Sequence, residues 1–409
     1  MIIVGFDWAR DKHDVCIQDM AGKVLYRGIV AHGSEGLEGL RQVIAGLERE
    51  PAAVHVAMEQ HDGALLAWLL ATGYTVYGIN PKSADRARDV FRPAGAKDDE
   101  GDALVAADLL RGNLTRYKPL HPQSDDTLEL RSLARLHLRL TEDKTVLMQR
   151  LRTLLAEWSP ALSALCTDLN RSWQRALLCR WPLHEDLHEA HANSIRAFCT
   201  EHRICSATRK RITATLDTQP LFIPAGRRKA LRLETAAILE QLDALIDTLQ
   251  ALHRDLEEAF VAHPNYRVFN SLPVKGVSSL AMIAGAFGDR RADPTGWREL
   301  AARWGVGPVT VASGRSRHVK RRRACDGHVL QALTAFAFTS AFSVQGCWAT
   351  EYYRRKRAEG HDHHESLRAQ GQRWVKIMWS MWHHGTLYDE HLHRNRQRMA
   401  PQSKTRETG

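Results

Sequence analysis

Runs of residues with strand character are concentrated in the first 80 residues of this 409-residue chain. The predicted strands are residues 2–6, 13–18, 24–30, 53–58 and 75–79. A hairpin signal at residues 19–22 makes the second and third strands antiparallel neighbours. Leucines at helical spacing separate the later strands. The order of three strands followed by alternating strands and helices predicts an α/β layer at the amino terminus.

From about residue 124 the strand pattern gives way to helical seams. Leucines between residues 133 and 154 predict one long helix. A second seam from Ile238 to Leu256 steps alternately by four and three residues, which is the spacing of a helix that packs against a partner helix. The two helices could pair with each other or with those of a second copy of the chain. We therefore expect a helical, coiled-coil-like middle region and a homo-oligomer, either a dimer or a tetramer.

The last third of the chain is predicted to be mainly helical. Lys275 and Gly276 lie in a segment that resembles a helix-hairpin-helix turn, in which backbone N–H groups can bind a phosphate. Trp374, Met378, Trp379 and Trp382 recur at helical spacing and are typical of a core stripe. The predicted domains are residues 1–123, 124–262 and 263–409.

The net charge and the spacing of the cysteines exclude some classes of protein and favour others. The 57 Lys and Arg against 47 Asp and Glu give a net charge of +10, which favours a polyanionic partner. The seven scattered cysteines form no C-x-x-C pair, so a disulfide framework or a zinc ribbon is not expected. No run approaches a membrane span or a signal peptide. We expect a cytoplasmic protein that does not bind membranes.

Four carboxylates stand where a divalent metal could bind. Asp7 and Glu59 each end a predicted strand, and Asp99 and Asp102 share one face of a helical turn. Singly, such residues are typical of turn caps and first helical turns. Together, their mutual repulsion would be relieved by a cation, and Mg²⁺ prefers oxygen ligands of this kind. Mg²⁺ is the expected cofactor, with Mn²⁺ as the alternative.

A serine near the carboxyl terminus offers a second chemistry. Ser313 precedes a glycine and is followed by the densest cationic run of the chain, in which Ser316 also stands. A Ser-Gly pair often only makes a turn, and a charged run is often only solvated. However, phosphates bound by these cations could be attacked by the serine hydroxyl. The basic residues are Arg315, Arg317, Lys320, Arg321, Arg322 and Arg323.

A third pattern, His184-Glu185-Asp186-Leu187-His188, matches the H-E-x-x-H zinc motif. The chain contains 21 histidines, so chance matches are expected, and the polar residues around the motif leave little apolar surface to bury it. We interpret the match as fortuitous.

Taken in order, these motifs resemble those of the DEDD transposases of bacterial insertion sequences. That family consists of bridge-RNA-guided recombinases and is related to the Piv/MooV DNA invertases. Residues 5–7 with 13–15 resemble the first family motif, residues 58–59 the second, and residues 97–103 the third. Residues 308–314 with the basic run resemble the serine motif. The family commonly has two serines followed by two glycines and a lysine, whereas this chain has Ala312-Ser313-Gly314-Arg315-Ser316. Ser316 is therefore a rival nucleophile, and Asp98 leaves a second register beside Asp99.

The resemblance implies an RNase H/RuvC-like first domain whose tetrad Asp7, Glu59, Asp99 and Asp102 binds Mg²⁺. It also implies a coiled-coil insertion and a C-terminal transposase domain in which Ser313 forms a transient covalent link to DNA. The implied partners are donor DNA, target DNA and a structured guide RNA, and the implied setting is the bacterial nucleoid. Three alternatives stay open: an invertase of a fixed chromosomal segment, a binding protein without chemistry, and a metal-dependent nuclease that uses only the acids.

Overall fold

The computed structural model describes residues 1–59, 63–91, 99–291, 295–313 and 316–392, without the side chains of residues 89–91, 99, 100 and 317. The chain divides into two compact units, Met1–Gln123 and Ser124–Gly409. No helix in the described part of the chain has the length and apolar character to cross a bilayer. The functional division into three domains stays a prediction.

The first unit is built on a five-stranded mixed sheet with the strand order β3-β2-β1-β4-β5. Its strands are β1 (Ile2–Asp7), β2 (Lys12–Asp19), β3 (Val24–Ala31), β4 (Val54–Met58) and β5 (Thr75–Gly78). The first three strands pair antiparallel, whereas β4 pairs parallel with both β1 and β5. The predicted strands are confirmed, each within one residue at both ends.

Helices cover both faces of this sheet. They are α1 (Ser34–Leu47), α2 (Ala64–Ala71), α3 (Pro81–Phe91) and α4 (Asp99–Asn113). Val4 and Phe6 pack in one core with residues of α1 and α2. Ile3 packs in a second core with Ala84 of α3 and Ala107 of α4. Because side chains alternate along a strand, odd-numbered positions of β1 face α4.

The second unit begins with two long helices that pack against each other. They are α5 (Asp125–Trp158) and α11 (Ala225–Ala262). Arg150 Nη2 lies 3.0 Å from Glu234 Oε1, and the rings of His137 and His253 lie 5.7 Å apart, so the helices run antiparallel. The two predicted helices are confirmed, and the choice left open is resolved for this chain: they pair with each other. The oligomer stays a prediction.

Five short helices fill the interval between the long ones. They are α6 (Pro160–Leu165), α7 (Ser172–Arg180), α8 (His184–His188), α9 (Ala192–Glu201) and α10 (Ser206–Leu216). Their buried residues, such as Leu177 and Phe198, share a core with Leu151 of α5 and Leu242 of α11. These helices therefore cap one end of the long pair.

The remainder of the second unit is a helical bundle with one hairpin. Its helices are α12 (Tyr266–Asn270), α13 (Val277–Phe287), α14 (Trp297–Arg303), α15 (Gly327–Phe342), α16 (Trp348–Ala358) and α17 (His363–His384). The predicted core stripe is confirmed for Trp374, Met378 and Trp382, which are at most 3% exposed. Trp379 is only partly buried at the edge of this core, where its Nε1 donates to Thr295 O at 2.9 Å.

The hairpin corrects the expectation that strands end before residue 124. Strands β6 (Val309–Ser313) and β7 (Ser316–Lys320) pair antiparallel within the region predicted to be helical. Val309, Thr310, Val311 and Val319 are β-branched and suit extended backbone. The strands were missed because they are short and carry cations instead of a repeated apolar face.

Candidate active site

Two of the predicted acids lie at the ends of neighbouring parallel strands of the first unit. Phe6 of β1 pairs in register with Met58 of β4, so Asp7 and Glu59 follow at the same level of the sheet. Adjacent strands are separated by about 4.8 Å. Phe6 and Met58 both pack in the core with α1 and α2. Asp7, the last residue of β1, therefore projects toward the opposite face, where α4 lies, and Glu59 directly follows the end of β4. Both side chains are partly exposed.

Helix α4 brings the other two acids to this end of β1. Its first residue is Asp99, and Asp102 lies in its first turn. A Cβ built on Gly5 would stand 2.0 Å from the carbonyl oxygen of Ala103 and 2.8 Å from the backbone nitrogen of Ala107. The absence of a side chain at Gly5 thus lets α4 lie directly on β1. The side chain of Asp99 lies outside the described residues, as does all of Asp98.

Asp102 is held by an arginine. Arg88 Nε donates to Asp102 Oδ1 at 2.6 Å, and the Asp102 side chain is only 13% exposed. The hydrogen bond to Asp102 raises the pKa of Arg88 above its ordinary value. Arg88 also contacts Asp85 through Nη1 at 2.9 Å. The guanidinium of Arg88 thus occupies one of the carboxylate oxygens through which Asp102 could bind a metal ion.

Asp14 is a fifth carboxylate at this end of the sheet and was not among the predicted metal ligands. It pairs in register with Asp7 across β1 and β2, and it is 7% exposed. Directly opposed residues of an antiparallel pair have Cβ atoms about 4.5–5.5 Å apart. Val15 and Ile17 face α1, so Asp14 faces α4. The sequence signal that could have revealed this opposition is the short connection between the first two predicted strands, which places Asp7 and Asp14 near the same turn.

The donors suit a hard cation, but they are not assembled around one. Carboxylate oxygens are the ligands that Mg²⁺ prefers. Among the described residues, no three His, Cys, Asp or Glu side chains converge closely enough to hold a metal ion. The side chain of Asp99 lies outside the described residues, and Asp102 Oδ1 accepts a hydrogen bond from Arg88. A metal ion at Asp102 would therefore compete with Arg88 for this carboxylate.

Ser313 lies at the tip of the exposed hairpin in the second unit. It is the last residue of β6 and pairs in register with Ser316, the first residue of β7. Both serines are exposed. The chain rejoins the bundle six residues after the hairpin, at Asp326, the N-cap of α15, whose N donates to Arg303 O at 2.9 Å. The two rival nucleophiles are thus equally placed, one on each strand.

The basic run around Ser313 is largely exposed. Lys320, Arg321 and Arg323 face solvent, whereas Arg322 is partly buried. Arg315 and the side chain of Arg317 lie outside the described residues. The Nε atom of Arg322 is buried and has no hydrogen-bond partner within the described part of the chain. Three described cations are therefore accessible to a polyanion, which suits either phosphate binding or simple solvation.

The turn that resembles a helix-hairpin-helix element lies between α12 and α13. Gly276 is the N-cap of α13, with φ −73° and open space around its Cβ position. Lys275 Nζ donates to the carbonyl oxygen of Asn270. Both residues are exposed, so the turn is accessible, and phosphate binding there stays a prediction.

The H-E-x-x-H match is structural in this chain. His184 Nε2 lies 3.0 Å from Thr215 O, and His188 Nδ1 lies 2.6 Å from Leu216 O. Glu185 is paired with Arg228 at 3.0 Å. The two rings are thus occupied by backbone carbonyls at the end of α10, and the interpretation of a fortuitous match agrees with this geometry.

Comparison with known proteins independently supports the resemblance to DEDD transposases. A family model described as a transposase of the DEDD IS110 type matches residues 4–160. The Streptomyces coelicolor protein named "Mini-circle putative transposase for IS117" is 30% identical over 373 residues, which cover 88% of this chain and 89% of that protein. The S. coelicolor protein named "Insertion element IS110 uncharacterized 43.6 kDa protein" is 26% identical over 75% of each chain.

A likeness to T. thermophilus RuvC in complex with Holliday junction substrate covers 29% of this chain and 99% of that one. Its TM-score of 0.22 and identity of 17% are too low to carry an argument about fold or function. The family model and the IS117 relative, in contrast, match the segment that holds the acids and most of the chain, respectively. The chain therefore belongs to the IS110 family of DEDD transposases.

Proposed function

We propose that this chain is the recombinase of its own insertion sequence, which cuts and rejoins DNA with the acids Asp7, Glu59, Asp99 and Asp102 and with the hydroxyl of Ser313. One observation carries most of the proposal. The parallel register of β1 and β4 and the close approach of α4 at Gly5 direct separate acids toward one end of one sheet face. Carboxylates crowded in this way repel one another unless a cation is bound, so the arrangement favours metal-dependent chemistry.

The acids would hold Mg²⁺, or Mn²⁺ in its place. A bound ion would supply Lewis-acid stabilisation of the charge that develops on phosphate oxygens. The protein's own part is to fix the donors: β1 and β4 fix Asp7 and Glu59, and the first turn of α4 fixes Asp102. Arg88 neutralises Asp102 and would release it when the ion binds. The strand order, with three antiparallel strands first, supports an RNase H/RuvC-like first domain.

Ser313 would exchange one phosphodiester for another. Its Oγ attacks the phosphorus, the bond from phosphorus to one deoxyribose oxygen breaks, and that oxygen leaves as a hydroxyl after taking up a proton. The serine proton passes to solvent, and the DNA end stays linked to Ser313. In the second step a deoxyribose hydroxyl of another strand attacks this linkage, and the serine hydroxyl is restored. Bonds of one type are exchanged, so no energy-rich cofactor is required.

The partners follow from the charge and the family. The net charge of +10 and the exposed cations Lys320, Arg321 and Arg323 suit a nucleic acid, and binding should weaken with salt. We propose donor DNA, target DNA and a structured guide RNA as the ligands of Lys275, Gly276 and the residues 315–323. A homo-oligomer acting at the bacterial nucleoid completes the proposal.

Strand exchange by single variants tests this function. The chain is mixed with RNA transcribed from the DNA that flanks its gene and with paired donor and target DNA. Asp7→Asn and Ser313→Ala should each abolish exchange. Ser316→Ala is the matched control, because Ser316 is equally exposed and lies opposite Ser313, and it should retain exchange.

Each of the other outcomes refutes the proposal or favours one of the alternative functions. Retained exchange in both Asp7→Asn and Ser313→Ala would refute the proposal. Cleavage that needs Asp7 but survives Ser313→Ala, without protein on the DNA, would indicate a nuclease that uses only the acids. Binding without any cleavage by the unaltered chain would indicate a nucleic-acid-binding protein.

A further inference from the structure

An exposed group of aromatic rings lies where the end of α15 and the start of α17 meet the middle of α16. We call Phe338, Phe342, Tyr353 and His363 the aromatic patch. Phe338 and Phe342 are 46% and 54% exposed although they follow one another on the same helix face, one turn apart. Their ring centroids are 4.8 Å apart, and Phe342 lies 4.9 Å from Tyr353. Large rings exposed together on a surface mark a binding site more often than rings exposed singly.

The patch is held in place from below. Tyr353 OH lies 2.7 Å from His363 Nδ1, and the two ring centroids are 5.8 Å apart. Tyr353 and His363 are only partly exposed, so they support the two phenylalanines and leave ring surface open. A fixed ring loses little conformational entropy when a ligand stacks on it.

A groove beside the patch gives it a charged border. Phe342, Thr350 and Arg354 line a groove of about 400 Å³, together with one carboxylate, Glu351. Arg354 begins a run of four consecutive cations, 354–357, on α16. Two of the later cations in this run contact Glu359, at 3.7 Å and 2.5 Å. Aromatic faces bordered by cations suit a ligand with flat rings and negative charge.

We propose that the aromatic patch binds unpaired DNA by stacking bases on Phe342 and Phe338, with Arg354 near the phosphates. Bases in a duplex are already stacked on each other, whereas unpaired bases offer a free face to an aromatic side chain. The proposal rests on the proposed function, because strand exchange separates bases from their first partner and so produces this ligand. No part of the patch belongs to the acids or to the serine hairpin.

Binding without chemistry tests the patch. Full-length chain in EDTA is titrated into labelled oligothymidylate, oligouridylate and a DNA duplex of the same length, with fluorescence anisotropy as the readout. Phe342→Leu keeps the apolar bulk but removes the ring, and it should weaken oligothymidylate binding at least about fivefold, the lower bound for one stacked base. Phe342→Trp should restore the affinity. Duplex binding should not change.

Two further variants supply controls. Phe222→Leu makes the same change at a phenylalanine that is 84% exposed outside the patch, and it should leave oligothymidylate binding unchanged. Arg354→Gln should weaken oligothymidylate binding and lower its salt dependence by about one ion. Thermal melting of each variant establishes that it is folded.

Several results would overturn the proposal. They are unchanged oligothymidylate binding in Phe342→Leu, an equal loss of duplex binding, or an equal loss in Phe222→Leu. A loss confined to oligouridylate would assign the patch to RNA and not to DNA. A changed oligomer mass in Phe342→Leu, with DNA binding intact, would assign it to a second copy. Failure of the unaltered chain to bind any of the three probes would instead refute the proposed function.

Discussion

Gly5→Ala perturbs the contact that positions the acids. The new Cβ would lie 2.0 Å from the carbonyl oxygen of Ala103, and both backbone and Cβ of Ala107 lie within 3.0 Å. The nearest obstacle is helix backbone, so no side-chain rotation can remove it. Increasing 2.0 Å to the 3.4 Å of an ordinary contact requires α4 to move by about 1.4 Å. Asp102, one residue before Ala103, would move with it.

The expected size of the effect follows from that shift. Overpacking of a well-packed contact costs about 1–3 kcal/mol of unfolding free energy. A misplacement of about 1 Å at a catalytic group costs about 100-fold in rate. Gly5→Ala should therefore lower the melting temperature and reduce DNA cleavage by about 100-fold or more.

Gly39→Ala is the matched control for this experiment. Gly39 lies inside α1, is exposed, and would place its Cβ in open space. The same substitution there should stabilise the helix by up to about 1 kcal/mol and leave cleavage unchanged. Thermal melting followed by circular dichroism and cleavage of labelled DNA measure the two effects. A Gly5→Ala variant with unaltered melting and cleavage would refute the argument that this close approach positions Asp102.

Further substitutions test contacts within each of the two units. Asp14→Asn should lower metal affinity or cleavage by about 10–100-fold with little loss of stability, measured by Mg²⁺ titration of cleavage; unchanged titration would exclude Asp14 from the site. Arg88→Met should lower the Mg²⁺ concentration at half-maximal cleavage, since Asp102 no longer has a competing cation; a higher concentration would make Arg88 a support for Asp102. Asp289→Asn should destabilise the second unit by about 1 kcal/mol in urea unfolding near neutral pH. Burial opposes the charge of Asp289, but hydrogen bonds from Ser124 N and the Thr127 hydroxyl prevail and lower its pKa. Its stabilisation is thus full above the ordinary carboxyl pKa and is lost as pH falls through the lowered folded value, so the difference between wild type and Asp289→Asn should vanish in acid; a constant difference would contradict this.

The sheet and the long helices were predictable because their signals are local and repeated. Apolar residues alternate with polar ones along β2, and leucines recur over several turns of α5 and α11. One residue that departs from such a repeated pattern does not hide it. The positions of Asp7 and Glu59 at strand ends were likewise readable. That the two acids lie at the same level of the sheet could not be read in this way. It depends on the register of β1 against β4, which is set by contacts between residues about 50 positions apart.

Other features depend on packing that a sequence does not display. The close approach at Gly5 occurs because α4 crosses β1 there. A glycine in the sequence does not show which element packs against it. The pairing of Arg88 with Asp102 joins two helices across 14 residues. The hairpin that carries Ser313 was missed because its strands are short, and β6 is exposed along all but its first residue instead of alternating between buried and exposed positions. The exposure of Phe342 could not be separated from core packing in a largely apolar helix.

The identity of the residue that becomes linked to DNA tests the central claim most directly. The chain is incubated with Mg²⁺ and a nicked DNA substrate whose cleaved end is lost, so that rejoining fails, and the linked peptide is then mapped by mass spectrometry. The account predicts DNA on Ser313, with no linkage when Asp7 is replaced by Asn. DNA on Ser316, or cleavage of the substrate with no linked peptide, would contradict it.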